Sequence, residues 1–368
     1  MLNFILFITI YGLINIYITS WFWRNLAEND IARPIVCLII IALAIGFPIF
    51  YRSTGNSLLE LTLVRISSLW IVIFIYLFLI LLILDISSLL GYAPNKIYII
   101  PIILIFISLI ILTGWINARN PVLKEFELNI KTTQQLPQKT FTIAVFADTH
   151  LGRINSTVHL NKALNLVENH NLDAVFFLGD IIDDHTLIDT TEIKNSISKL
   201  SPKFGTWGIL GNHEYISGKI QNSIDIIEKS GIKILRDDWT NLGDTILLIG
   251  RDEYSKHFYS SAKRKNLQEI TESSNSNLPI IVLDHQPVNL KEAEEIQAIL
   301  QLSGHTHNGQ FWPINFIVAK MFENPHGLST RGNTNYIVSA GTMTWGPPVR
   351  NTSRPEVILV KINFWSGE

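Results

Sequence analysis

Four apolar stretches fill the first third of this chain, at roughly 2–23, 32–51, 66–90 and 96–117. Each approaches the ~20 residues that an α-helix needs to cross a hydrocarbon core. Such segments can satisfy their backbone polar groups in lipid only as helices or closed barrels, and their length selects helices. Charge reinforces the reading. Up to residue 118 the basic residues are Arg24, Arg33, Arg52, Arg65 and Lys96, and the acidic ones Glu28, Asp30, Glu60 and Asp85, against totals of 29 and 31. Trp21, Trp23, Tyr51, Tyr92 and Trp115 fall near the stretch ends, where amphipathic rings favour a membrane interface. The first stretch reads as a span rather than a cleaved signal peptide, because no Lys or Arg precedes it and no small-residue cleavage site follows. Four spans place both ends of the region on one side. Arg52, Arg65, Arg119 and Lys124 on that side, against Arg24, Arg33 and Lys96, favour a cytoplasmic C-terminal domain in a multi-pass cell-membrane protein. The lone cysteine, Cys37, lies in the second span, so no disulfide framework is expected.

The composition changes after residue 118. No basic block or stripe follows, which argues against nucleic acid as a partner. Residues 119–140 are polar, contain Pro121 and Pro137, and read as a linker, with 125–130 as an extra edge strand. Beyond them, in a domain expected over 141–368, apolar runs alternate with helical patterns near 157–169, 190–200, 219–230, 262–273 and 290–297. Strands are also expected near 232–236 and 245–250, and late strands near 335–340 and 355–363 close the domain. Strands alternating with helices, then a strand-rich end, predict a layered α/β domain preceded by a four-helix transmembrane region.

Five of the apolar runs, FTIAVFA, DAVFFL, TWGIL, PIIVL and AILQL, end at short motifs. These are Asp148-Thr149-His150, Gly179-Asp180, Gly211-Asn212-His213-Glu214, Asp284-His285 and Gly304-His305-Thr306-His307. Loops at strand ends of α/β folds are where ligand sites gather. Asp148 and His150, two residues apart, share a face and can hold one metal. Asp180, beside a glycine, is suited to bridge two metals. Asn212 adds a neutral oxygen, His285 an imidazole, and His305 and His307 share a second face. The nitrogen and oxygen set suits a borderline divalent metal, manganese, iron or zinc. Two such ions lower the pKa of water towards neutrality and stabilise charge on a phosphoryl group. His213 is then the candidate acid for the leaving oxygen, with Glu214 placed to orient its ring. Asp183 and Asp184 read equally as partners of the site or as helix caps. His159, His170, His185, His257 and His326 read as solvated or locally bonded.

Taken in order, the five motifs resemble the calcineurin-like metallophosphoesterase superfamily over about residues 141–363. The resemblance implies an α-β-β-α sandwich. It implies one metal on Asp148, His150, Asp180 and His307, a second on Asp180, Asn212, His285 and His305, and His213 as the catalytic histidine. The tail Gly341-Thr342-Met343-Thr344-Trp345-Gly346-Pro347-Pro348-Val349-Arg350, with Arg354-Pro355-Glu356, resembles a membrane-anchored bacterial subgroup of that superfamily. Asn308 stands where many members carry glycine, which predicts a local loop effect.

The expected reaction is hydrolysis of a phosphomonoester, phosphodiester or pyrophosphate bond. A lipid or lipid-linked substrate is favoured by the spans and by the apolar segment 311–322, read either as an interfacial lip or as a buried or docking segment. Arg153, Arg331 and Arg350 are candidate phosphate contacts. The alternatives are a non-catalytic binding scaffold, which has no chemical need for a full ligand set, and a regulatory domain of a transporter, for which the spans carry almost no charge.

Overall fold

The computed structural model describes residues 2–26, 31–51, 55–92, 94–259 and 263–366; Glu28, Asp30 and Arg52, counted above, lie outside these. The chain divides into two compact units, Met1–Ile116 with Gly346–Val349, and Asn117–Trp345 with Arg350–Glu368.

The first unit contains helices α1 (Leu2–Asn25), α2 (Ala32–Tyr51), α3 (Leu58–Leu89) and α4 (Lys96–Ala118). All four are long and apolar enough to cross a membrane. Helix α3 starts eight residues before the apolar stretch that predicts it. Ser57 caps it, with the Ser57 side chain accepting from the Glu60 N–H and Glu60 accepting from the Ser57 N–H. This reciprocal pair satisfies two otherwise orphaned donors, so the helix begins at the cap rather than at the hydrophobic edge. Asp85, near the far end of α3, accepts hydrogen bonds from the Tyr17 hydroxyl at 2.8 Å and the Trp21 indole at 2.9 Å.

The second unit contains, among the described residues, twelve strands: β1 (Val122–Lys131), β2 (Thr140–Phe146), β3 (Ala174–Leu178), β4 (Thr206–Ile209), β5 (Lys233–Ile234), β6 (Asp238–Leu242), β7 (Ile246–Gly250), β8 (Ile280–Leu283), β9 (Leu300–Ser303), β10 (Gly327–Arg331), β11 (Thr334–Val338) and β12 (Glu356–Trp365). Its helices are α5 (Thr157–Leu164), α6 (Thr190–Ser198), α7 (Asn212–Ile216), α8 (Ile220–Lys229), α9 (Leu267–Ser274), α10 (Lys291–Glu295) and α11 (Ile314–Met321). The strands form two six-stranded sheets, ordered β1-β12-β2-β3-β4-β5 and β10-β11-β9-β8-β7-β6. The expected edge strand in the polar segment is β1, paired in parallel with β12.

Period-two alternation explains the layering. Ile143 and Val145 of β2 join Leu248, Leu283 and Leu302 of the other sheet in one buried core. Ala144 and Phe146, the intervening residues, face Leu160, Ile193 and Ile227 of α5, α6 and α8. On the far side, Leu247, Val282 and Tyr336 pack with Leu267 and Ile270 of α9. The result is the expected α-β-β-α sandwich, and the parallel strands β2, β3, β4, β8 and β9 all end at the motif loops.

Candidate metal centre

All seven candidate ligands come together at these strand ends. Asp148 and His150 follow β2, Asp180 follows β3, Asn212 opens α7, His285 follows β8, and His305 and His307 follow β9. Asp148, Asp180 and His285 are at most 2% exposed. Three groups, Asp148/His150/His307, His150/Asp180/His213 and Asp180/His285/His305, each have their ligand atoms within 4.8 Å of one another.

The Asp180 carboxylate ties the groups together. Its Oδ2 lies 3.8 Å from His150 Nε2 and 3.3 Å from His285 Nε2. His285 Nε2 is also 3.3 Å from Asn212 Oδ1. On the other side, His150 Nε2 lies 3.1 Å from His307 Nε2, which is 3.6 Å from Asp148 Oδ1. His150 and His285 have their second nitrogen anchored. His150 Nδ1 donates to Asp183 at 2.7 Å, and His285 Nδ1 to the Leu178 carbonyl at 2.6 Å. With Nδ1 held as a donor, both Nε2 atoms point at the Asp180 carboxylate, the arrangement in which outer partners prepare imidazoles for a cation. The carboxylate and the two imidazole nitrogens thus converge from separate loops on one point, a buried nitrogen and oxygen donor set. The donor set therefore fits a pair of divalent metals.

The backbone is bent to make this possible. Asp148, His150, Asp180, His305 and His307 all have left-handed φ, between 42° and 69°. Non-glycine residues adopt such angles at a cost, and clusters of them mark functional sites. Two glycines make room for carboxylates. A Cβ on Gly211 would lie 2.2 Å from Asp180 Oδ1, and one on Gly304 2.5 Å from Asp148 Oδ2. Asn308, the departure from the superfamily pattern, takes φ 48° and ψ 37°. Asparagine tolerates this conformation best after glycine, so the loop keeps its path.

Charge follows from burial and neighbours. Burial pushes the Asp148 carboxyl up to about 6, against the pull of His285. For Asp180 burial acts upwards too, but His285 and His213 bring it well below the usual carboxylate range. Burial lowers His305 to about 3, and burial with His150 lowers His307, so both stay neutral. His213 is opposite: burial acts downwards, but Asp180 and Asp183 raise it to about 10.

His213 lies beside the cluster, its ring edge-on to His150 with centroids 4.5 Å apart. Its Nδ1 is 2.8 Å from Asp183 Oδ1, the atom that also receives His150. Thus Asp183, left open between site partner and cap, holds two site histidines; the cap of α6 is Asp189. The orienting role read for Glu214 is corrected. Its buried carboxylate accepts the backbone N–H groups of Asp180, Ile181, Ile182 and Gly211, and so fixes the bridging loop instead of the His213 ring.

Two of the phosphate contacts read from sequence are also corrected. Arg350 is fully buried, and its guanidinium donates to the carbonyls of Gly341, Met343, His307 and Ala340. Arg331 pairs with Glu323 and Glu294. Arg153 pairs with Asp184 at 2.6 Å, one residue from Asp183. His159, His185, His257 and His326 bond locally, to Ser156, Ser223, the Tyr254 carbonyl and Glu356. In the apolar segment 311–322 Phe311 is buried, at 4% exposure, but the helix that follows, α11, has no buried residue and exposes Phe316, Ile317 and Met321; Trp312 just before it is exposed too. Phe322, at its end, sets its ring edge-on to His305 with centroids 5.9 Å apart.

A family profile described as calcineurin-like phosphoesterase matches residues 141–309. An uncharacterized metallophosphoesterase of Campylobacter jejuni is 30% identical over 378 residues, covering 96% of this chain and 96% of the relative. Another from Aquifex aeolicus is 28% identical over 239 residues, covering 62% of this chain and 88% of the relative. A Bos taurus protein named transmembrane protein with metallophosphoesterase domain is 27% identical over 262 residues, covering 66% of this chain and 58% of its own length.

Proposed function

Because this chain belongs to the calcineurin-like metallophosphoesterase family, we propose that it is a membrane-anchored phosphoesterase. It hydrolyses a phosphomonoester, phosphodiester or pyrophosphate bond with two divalent metals. The observation that carries this reading is the Asp180 carboxylate, whose one oxygen faces His150 on one side and His285 on the other. Asp148, His150, Asp180 and His307 would hold one ion, and Asp180, Asn212, His285 and His305 the other. Manganese, iron or zinc each suit this donor set. When bound, two such ions supply Lewis acidity towards the phosphoryl oxygens and lower the pKa of water.

The remaining chemistry belongs to the chain. Asp183 fixes the His213 ring through Nδ1, which leaves Nε2 as the nitrogen able to give a proton. The carboxylates that raise His213 to about 10 keep it protonated at neutral pH. It can therefore donate to the leaving oxygen or stabilise charge developing on it. The bonds from Glu214 to four backbone amides hold the Asp180 and Gly211 loops in register during turnover.

The substrate is read as membrane-borne, and the site as cytoplasmic. Four helices of spanning length support the first point. The four-to-three excess of basic residues supports the second. The exposed helix α11 acts as an apolar lip beside His305 for a lipid or lipid-linked substrate. Replacing Trp312 and Phe316 with serine is expected to slow lipid substrates selectively, and an equal effect on a soluble ester would remove the lip.

The test is hydrolysis by the purified chain in detergent, stripped of metal and then given manganese. The panel includes a chromogenic phosphomonoester, a phosphodiester, a nucleotide-diphosphate lipid and phospholipids, with His213→Ala and Asp180→Asn alongside. Metal-dependent turnover lost in both variants supports the reading. Tight binding of two metals with no turnover of any ester would favour a binding scaffold, and failure to bind metal would refute the site.

A further inference from the structure

We propose that the helical unit binds one bilayer glycerophospholipid, with an acyl chain in a cavity walled by all four helices and the phosphate at Arg33. Helices α1, α2 and α3 pack on one another, whereas α4 stands further from them. A cavity of about 320 Å³ lies between, within the size range of small-molecule pockets. Its floor includes the buried side chains Phe22, Ile40, Leu77 and Ile107. At its rim Ile39 and Leu104 are about half exposed, at 52% and 55%. The cavity thus opens sideways between helices of spanning length, and what surrounds such helices is hydrocarbon. Apart from Ser108 its lining is entirely apolar. Water entering it would find too few polar partners to stay.

The dimensions select a single chain in a single leaflet. Along α4 the lining runs from Ile100 to Ile111, which at 1.5 Å per residue is about 16 Å. That is close to half of a ~30 Å hydrocarbon core. Because successive spans run in opposite directions, the end of α1, the start of α2 and the start of α4 share one membrane face, and the cavity occupies the half beside it. Arg33 stands on that face one turn before the lining residue Val36. Its guanidinium lies 4.2 Å over the Trp23 ring, and its Nε makes no hydrogen bond among the described residues. A guanidinium stacked on an interfacial indole, with a donor unspent, suits a phosphate oxygen.

The experiment is native mass spectrometry of the full chain in detergent after incubation with palmitoyl-oleoyl phosphatidylglycerol. Wild type is expected to retain one lipid per chain. Leu77→Trp, which fills the floor, and Ser108→Trp, which closes the rim, are expected to lower occupancy about tenfold. Ile105→Trp, on an outward position of α4 that is 61% exposed, should retain the lipid. If Leu77→Trp fails to fold, Ser108→Trp decides, because its side chain is already at the surface. Arg33→Gln should weaken retention by a similar factor. Wild-type occupancy in both cavity variants would overturn the proposal. Loss in those variants with full retention in Arg33→Gln would mean a chain without a recognised headgroup, which overturns the phospholipid assignment.

Discussion

Replacing Asp183 with asparagine tests the site at the carboxylate that serves two histidines through one oxygen. His150 Nδ1 lies at 2.7 Å and His213 Nδ1 at 2.8 Å from it. Burial acts to raise the Asp183 carboxyl, but His150 and His213 drive it far below its ordinary value, so it is fully charged. Asparagine preserves the shape and one acceptor oxygen and removes the charge. An opposite charge at hydrogen-bond distance shifts a partner's pKa by about 1–3 units, or about 1.4–4 kcal/mol. If His213 acts as a protonated donor, that loss appears as about 10–1000-fold in kcat. KM should change little, because Asp183 is expected to act through His213 and not on substrate. The sign of the pH effect is fixed. The acid must be protonated, activity falls as pH rises through its pKa, and the substitution lowers that pKa. The alkaline limb of the kcat profile should therefore move to lower pH. The assay is steady-state hydrolysis of a chromogenic ester from pH 6 to 10, on protein whose metal content matches wild type. A kcat within about twofold of wild type, with the alkaline limb in place, would refute the assignment of Asp183 to His213.

Gly211→Ala should displace the bridging carboxylate, since its Cβ would lie 2.2 Å from Asp180 Oδ1. We expect stability to fall by only about 1–3 kcal/mol, while metal content drops well below two ions per chain; retention of both ions would contradict the bridging role. Arg350→Met removes a buried guanidinium that satisfies four carbonyls. Stranding them should cost about 3 kcal/mol and lower the melting temperature of the second unit by about 6–12 °C, so an unchanged melting curve would count against it. Burial acts to lower His150 and His285, but Asp183 and Asp180 raise them. Without metal they hold protons near neutral pH, and metal must displace these. Manganese titrated in buffers of different ionisation enthalpy should release about one to two protons per chain, with affinity rising as pH rises; no release would refute the coupling.

The gathering of the candidate ligands was legible because each motif carries its chemistry in two to four adjacent residues at the end of a buried strand. Relations between loops were not. Nothing local separates Glu214 as a partner of His213 from Glu214 as an acceptor for the 180–182 backbone, since the choice depends on how β3 and β4 align. Asp183 was ambiguous for the same reason, because the rings it meets come from loops after β2 and β4. Arg350 looks like a phosphate ligand in sequence, and only the folded chain surrounds it with carbonyls. Among strands, β6 and β10 escaped notice because both are sheet edges with broken apolar alternation. Their pairing comes from β7 and β11 rather than from their own pattern.

The left-handed residues explain why the motifs have the form they do. A side chain that continued a strand's alternation would enter either the core between the sheets or the layer of outer helices. To reach the point where both sheets end, the chain must turn within two residues of the strand, and a positive φ does this. Asp148, Asp180 and His305 turn in this way at the ends of β2, β3 and β9. Each such residue costs of order 1–3 kcal/mol. The surrounding contacts must hold it there: the His305 N–H at 2.9 Å from Asp148 Oδ1, the His213 N–H at 2.8 Å from Asp180 Oδ1, and the Glu214 carboxylate beneath the Asp180 loop. The glycines of the third and fifth loops belong to the same device. Gly211 and Gly304 sit where a Cβ would collide with the carboxylates of Asp180 and Asp148, which come from neighbouring loops. The glycine that opens each of these two motifs is thus required by the ligand of another motif. This is why the five motifs are informative together and weak apart.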